Sequence, residues 1–214
     1  MTVGQRMSKN PITVRIGTTV SEAQYTMRKE KVHRFPVVDK DLKLKGIVTE
    51  KDLLYATPSA ATTLDVYEMS YLLSKLKVDE VMTTTLVTVT EDTSIEEAAK
   101  ILVDNNIGGL PVLRDGKLVG IITESDLFKV FLEMFASRQK GVRMTMMVAQ
   151  ERGELAKLSG AVSAAGGNIL SLGTFLGDDP SQTLITMKVQ DLSVDALKKA
   201  VEPFVERIAD VREV

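Results

Sequence analysis

Apolar residues follow two spacings along this 214-residue chain, and the spacings recur twice in the same order. Residues 12–14 and 86–89 are short β-branched runs. Helical spacing comes next. Ile95, Ala98, Ala99 and Leu102 form one apolar face, and Val20, Ala23 and Met27 repeat it more weakly. Thr19 with Glu22, and Ser94 with Glu97, have capping-box spacing, so a helix is expected to open at each. Pro-Val-Leu (111–113), Arg-Asp-Gly-Lys (114–117) and Leu-Val-Gly-Ile-Ile (118–122) read as a hairpin about an Asp-Gly turn. A second helix is then expected, opened by Thr-x-x-Asp, with Leu127, Val130, Phe131 and Met134 on its apolar face. Each copy reads β-α-β-β-α.

The register of the two copies is clear. Met7 lies on Met82, the match reaches back to Val3 and Val78, and FPVV (35–38) lies on LPVL (110–113). After one extra residue in the first copy, GIVTEKDL (46–53) falls on GIITESDL (120–127), identical at six of eight positions. A unit of roughly fifty residues buries too little of its own surface to stand alone. The two are therefore expected to pack on each other about a pseudo-twofold axis.

Beyond residue 141 the pattern changes. Residues 142–149 read as a Met-rich apolar strand and 150–154 as a polar loop. Leu155, Leu158, Ala161, Val162 and Ala165 form a helical face stopped by Gly166-Gly167. Residues 168–175 and 183–189 read as strands around a turn at 177–180. Ser193 can cap a helix with face Leu197, Ala200, Val201 and Phe204, and residues 208–211 make a short last strand. The order βαββαβ is the ferredoxin-like split arrangement. The fold class expected is α/β, with a first repeat and connector over 1–75, a second repeat over 76–138 and a third domain over 140–214.

Composition narrows the function. Apolar residues are 44% and charged residues 26%, with a net charge of −2, so no basic field draws nucleic acid or an anionic membrane. Cysteine is absent, which suits a reducing compartment. The opening MTVGQRMSKNP lacks a signal-peptide core, and no apolar run approaches the ~18 residues of a membrane span. A soluble cytoplasmic protein is expected. His33 is the only histidine, which leaves no metal cluster and no nucleophile to activate; an exposed or cleft-lining role fits it. With no phosphate-cradling Gly-rich loop either, no catalytic residue, metal or catalytic cofactor is expected.

The repeated Thr-x-x-Asp carries the candidate chemistry. An ionised Asp only accepts hydrogen bonds, and a vicinal ribose diol offers two donors, so Asp52 or Asp126 can hold a ribose. Thr49 and Thr123, with backbone N–H groups at a helix start, can meet a phosphate. The same residue types also make ordinary helix caps, worth about 1 kcal/mol each.

Met-Thr, then Pro-Val, then Gly-h-h-Thr-x-x-Asp-Leu, written twice over residues 3–138, resembles the cystathionine-β-synthase-type (CBS) domains that occur as tandem pairs called Bateman modules. The resemblance implies that these Thr and Asp positions contact the ribose and phosphate of adenosine ligands in the clefts between repeats, with Thr13, Thr88 and the residues before Pro-Val also lining them. The copies differ there. Lys29, Lys31, His33 and Arg34 precede Phe35-Pro36, whereas Asp104, Asn105, Asn106, Gly108 and Gly109 occupy the second copy, and Lys51 stands against Ser125. The first cleft is thus the candidate for a phosphate tail, as in AMP, ADP or ATP, with Arg34 and Lys51 as its cations. Lys29 and Lys31 read as a solvated helix face. The second cleft suits S-adenosylmethionine, or no ligand; NAD belongs to the same class.

Gly-x-Leu-Ala-x-Leu (153–158) followed by Gly-Gly-Asn-Ile (166–169) resembles an ACT domain, which implies an amino-acid site at Gly153 and Asn168. Gln150 and Arg152 stand where that family commonly has Asp and Pro. The whole order, with the connector over 64–82 as an inter-repeat helix, resembles the acetoin-utilisation protein B-like family. It implies a ligand-sensing regulator, dimeric through its CBS and ACT parts. An amino-acid sensor with a structural CBS pair, and an oligomerisation module with vacant sites, stay open beside it.

Overall fold

The computed structural model describes residues 1–56, 71, 74–177 and 179–214. Two compact units divide the chain, Met1–Leu127 and Phe128–Val214.

The first copy supplies α1 (Val3–Arg6), β1 (Ser8–Lys9), β2 (Val14–Arg15), α2 (Val20–Glu30), β3 (Arg34–Val38), β4 (Leu44–Thr49) and α3 (Glu50–Tyr55). The second supplies α4 (Val78–Val81), β5 (Val89–Thr90), α5 (Ile95–Asp104), β6 (Gly109–Arg114), β7 (Lys117–Thr123) and α6 (Glu124–Met134). Helix starts follow the caps. Thr19 Oγ1 accepts from Glu22 N at 3.1 Å while the Glu22 carboxylate accepts from Thr19 N at 2.9 Å. The bond from the Thr19 backbone holds that carboxyl below its ordinary range. Ser94 Oγ accepts from Glu97 N at 3.1 Å.

In each copy a parallel pair is followed by a hairpin. β2 pairs with β3 and β3 with β4; β5 pairs with β6 and β6 with β7. β2 and β5 begin later than the apolar runs suggest, because Ile12 is exposed and Leu86 half-buried outside the ladders. The first core gathers Val20, Met27, Phe35, Val37, Val48 and Leu53.

The copies exchange their opening segments. β1 pairs not with its own copy but with β7, Ser8 opposite Ile121 and Lys9 opposite Gly120. Val3 N donates to Thr93 O at 2.8 Å and Gly4 N to Glu91 O at 2.9 Å. The second opening segment does the converse. Thr83 and Ile47 exchange backbone bonds of 2.8 and 3.0 Å, and Val78 N donates to Thr18 O at 2.9 Å. The linear division at residue 75 is therefore not the spatial one. Of the helix expected over 64–82, residues 64–70, 72 and 73 lie outside the described residues; Val78–Val81 forms α4.

The glycine of each repeated motif serves this exchange. A Cβ on Gly46 would stand 2.3 Å from Met82 Sδ, and one on Gly120 would stand 2.3 Å from Met7 Sδ.

The second unit contains β8 (Val142–Ala149), α7 (Glu154–Ala164), β9 (Asn168–Leu176), β10 (Gln182–Gln190), α8 (Val194–Val201), a 3-10 turn (Glu202–Phe204) and β11 (Arg207–Glu213). Its sheet is wholly antiparallel, in the order β11-β8-β10-β9. Alternation sends Val142, Met144, Met146 and Val148 to one face, where Leu158, Val162, Leu197 and Val201 of the helices cover them. Met147 is buried outside that core cluster, so the Met run divides between the two faces. The turn expected at 177–180 includes residue 178, outside the described residues.

The unit boundary falls ahead of residue 138 because the segment after Phe131 packs on this sheet. Phe135 stacks on Phe175 with ring centroids 6.1 Å apart, and Lys188 Nζ donates to the carbonyls of Ala136 and Gln139. This corrects the expected face of α6: Val130 is buried, but Phe131 and Met134 are exposed.

Candidate functional site

At the β4–α3 junction Thr49 is the N-cap, in extended conformation, and Asp52 is the third helical residue. Thr49 Oγ1 accepts from Asp52 N at 3.2 Å and donates to Asp52 Oδ2 at 2.7 Å; Thr49 N donates to the same oxygen at 2.8 Å. The second copy repeats the pattern. Thr123 N and Oγ1 donate to Asp126 Oδ2 at 3.1 and 2.8 Å. The two bonds from Thr to the Asp carboxylate are therefore shared by both copies, and in the first they are completed to a capping box. Both bonds from Thr49 to the Asp52 carboxylate end on Oδ2. Asp126 is only 7% exposed.

Thr13 and Thr88 are half-buried, each one residue before the strand expected to hold it, and so adjoin the Pro-Val strands β3 and β6. His33 Nδ1 lies 2.8 Å from Glu50 Oε2, with side chains 78% and 65% exposed; it is a surface pair. Lys51 Nζ lies 5.5 Å from the Tyr55 ring centroid, along the outside of α3, where a groove of about 350 Å³ opens beside α2.

Arg34 departs furthest from expectation. It begins β3, opposite Thr49, but its guanidinium crosses to the second copy. A Cβ on Gly108 would stand 2.6 Å from Arg34 Nη2, and one on Gly109 would stand 2.6 Å from Nη1. The same Gly108 Cβ would be 2.9 Å from Glu124 Oε2. Burial pulls the guanidinium pKa down, and the Glu124 charge pulls it back up. Arg34 and Gly108-Gly109 are thus one compensated feature, not two independent differences. Glu50 and Glu124, the first residues of α3 and α6, match no ligand motif, but both lie among the identical positions of the repeated octapeptide.

In the second unit Gly153 caps α7 at φ +89°, a left-handed conformation that glycine adopts without strain. It helps wall a pocket of about 640 Å³ with Gln150, Leu155, Thr174 and Leu176. Asn168 does not reach it. Along β10, Leu176 lies opposite Thr183 and Asn168 opposite Gln190, at the other end of the strand. At ~3.3 Å per residue that separation is roughly 25 Å. Gly153 and Asn168 therefore do not form one site within a single chain.

Among the described residues no group of three metal-binding side chains occurs, and no helix is long and apolar enough to cross a membrane.

A family model described as CBS domain matches residues 3–59 and again 78–133. A CBS domain-containing protein of Dictyostelium discoideum is 38% identical over 133 residues, 62% of this chain and 92% of that one. The chloroplastic CBS domain-containing protein CBSX1 of Arabidopsis thaliana is 35% identical over 153 residues, 62% of this chain and 65% of that one. Solved structures are similar as well. The CBS domain pair of protein MJ0100, in complex with 5-methylthioadenosine and S-adenosyl-L-methionine, has a TM-score of 0.52 at 28% identity and covers 65% of this chain and 98% of its own. CBSX2 in complex with AMP has a TM-score of 0.52 at 32% identity, covering 62% and 97%. A Vibrio cholerae protein named for acetoin utilization (AcuB) has a TM-score of 0.55 at 29% identity, covering 64% and 95%.

Proposed function

Because the chain belongs to the CBS-domain family and carries two copies of the domain, we propose that it is a non-enzymatic regulator binding an adenine nucleotide of the AMP, ADP or ATP kind between its repeats. The observation that carries this reading is the duplicated Thr–Asp helix start, held by the same bonds in both copies. Two of the solved relatives, one with AMP and one with S-adenosyl-L-methionine and methylthioadenosine, support adenosine as the ligand class.

In this reading the cap and the ligand contact are the same device. The box fixes Asp52 Oδ2 and so aims Oδ1 at a ribose hydroxyl before any ligand arrives. The Asp52 cleft, with Thr13, Thr49, His33 and Lys51, takes the phosphate-bearing ligand. The Asp126 cleft, with Thr88 and Thr123, takes a less anionic adenosine compound or none, because Arg34 and Glu124 crowd together beside Gly108 and Gly109. The second unit is read as an ACT-type module that reports the ligand state. Its strand order and the Gly153 pocket favour an amino-acid site there as a second reading. Regulation then needs ligand affinities that differ between two states. A homodimer and a setting in acetoin or related carbon metabolism complete the proposal, the latter resting on the likeness to the Vibrio cholerae protein.

A thermal-shift panel of AMP, ADP, ATP, S-adenosylmethionine, NAD and amino acids tests it. A ligand at 100 times its Kd adds about 2.7 kcal/mol to the unit that binds it, which raises the midpoint by several degrees. Silence with every adenine compound would overturn the reading. Asp52→Asn keeps an oxygen for the Thr49 bonds and removes the charge, so the nucleotide shift should fall while the unliganded midpoint moves little. Unliganded destabilisation of about 1 kcal/mol with nucleotide binding intact would mean that Thr49–Asp52 is a cap alone.

A further inference from the structure

The centre of the C-terminal sheet's face opposite α7 and α8 is buried, yet it is polar. Thr145, Ser171, Thr186 and Lys188 are each less than a tenth exposed and lie across β8, β9 and β10. They are four of the six buried polar or charged residues among the described residues, so the polarity is concentrated here. A sheet face packed only for stability would be apolar, since burying polar groups costs free energy that apolar packing does not.

Lys188 is the sharpest anomaly. It is 5% exposed, and its ammonium donates to the carbonyls of Ala136 at 3.0 Å and Gln139 at 2.9 Å. Among the described residues it meets no carboxylate, and two neutral acceptors leave the third N–H and the charge uncompensated. Asp210, the acid facing this side from β11, is already engaged by Arg143 at 3.1 Å and Arg212 at 2.7 Å. Among the described side chains on this face, Lys188, Arg143, Arg207 and Arg212 stand against Asp210, a surplus of positive charge.

Lys188 and the three hydroxyl residues line a cavity of about 550 Å³ that lies wholly within this unit. Phe131, Phe135 and Phe175 line it as well, with the first two ring centroids 4.8 Å apart. The volume falls in the range of small-molecule sites, which combine apolar walls with a few convergent polar groups.

We infer that this cavity binds a small aromatic carboxylate, its ring among the three phenylalanines and its carboxylate on the Lys188 ammonium and the Thr145–Thr186 hydroxyl pair. The two hydroxyls are 3.0 Å apart, and either can turn its proton from the other to an incoming anion. The carboxylate supplies a counter-charge where the hydrogen bonds of Lys188 reach only carbonyls. This site lies on the face of the sheet away from the helices, and it does not depend on the nucleotide reading of the first unit.

The test uses phenylacetate as the probe and the isosteric, uncharged phenylacetamide as its control, titrated into the full chain by calorimetry. Phenylacetate is expected to bind at least tenfold more tightly than phenylacetamide. Lys188→Met keeps length and removes charge; it should cost phenylacetate at least tenfold and leave phenylacetamide unchanged. Should Lys188→Met fail to fold by circular dichroism, Thr186→Val takes its place, with a loss of about fivefold expected for phenylacetate alone. No binding of phenylacetate at millimolar concentration, or equal binding of acid and amide, overturns the inference. So does unchanged phenylacetate affinity in a folded variant. The AMP response of the same variants should match that of the unaltered protein, which separates this site from the first unit.

Discussion

Gly46→Val is expected to destabilise the first unit by about 3 kcal/mol, the upper part of the usual range for overpacking a core. The added Cβ would stand 2.3 Å from Met82 Sδ, 2.8 Å from Met82 Cγ and 3.0 Å from the carbonyl oxygen of Thr83. The sulfur can move; the backbone oxygen, bonded to Ile47 N, has less freedom. Gly120→Val should cost less, because its nearest atoms beyond Met7 Sδ are Cγ and the Ser8 oxygen, both at 3.1 Å. Denaturant midpoints at constant m-value report both effects. The decisive comparison is rescue. Met82→Ala should restore part of the loss in Gly46→Val, and Met7→Ala should not, since Met7 belongs against Gly120. Rescue of Gly46→Val by Met7→Ala would mean that each copy keeps its own opening segment. Contacting residues of this kind usually couple by 0.5 kcal/mol or more, about the level a double-mutant cycle resolves.

Leu158→Ala is the second large effect. Leu158 is fully buried among Met144, Met146, Ile185, Met187 and Leu197, where truncation leaves a cavity and costs about 2–5 kcal/mol. Differential scanning calorimetry should show the loss in the transition belonging to residues 128–214. The nucleotide-dependent shift of the first unit should persist in this variant. Its disappearance would show that the first unit needs the second in order to bind.

Much of this was legible in the sequence because it is periodic or local. The repeat register, the Thr19–Glu22 box and the alternation of Val142, Met144 and Met146 each follow from residue spacing alone. Three features were not, and each depends on pairing between distant residues. A two-residue strand such as Ser8–Lys9 carries no periodicity that says which sheet it will join. Arg34 reads as a cleft cation until Gly108 and Gly109 are seen to make room for it from the other copy. Gly153 and Asn168 look like one motif until the strand register sets the Gly153 pocket at the Leu176 end of β9 and Asn168 at the other. The polar sheet face is an intermediate case. Arg143 and Thr145 sit at alternate positions visible in the sequence, but the bonds of Lys188 to Ala136 and Gln139 come from the segment after Phe131, whose packing no local pattern announces.

The exchange of opening segments bears on what half of this molecule would be. Split into separate copies, each would have an unfinished sheet and a loose segment made for the other, so completion would require a meeting of two chains and would fade on dilution. Carried on one polypeptide, the same trade becomes intramolecular, its partner held at a fixed effective concentration. Duplication and fusion thus convert a concentration-dependent assembly into a constitutive one, and they free the two copies to diverge. An Arg on one side and a Gly-Gly on the other is an asymmetry that two identical chains related by a twofold axis are unable to carry.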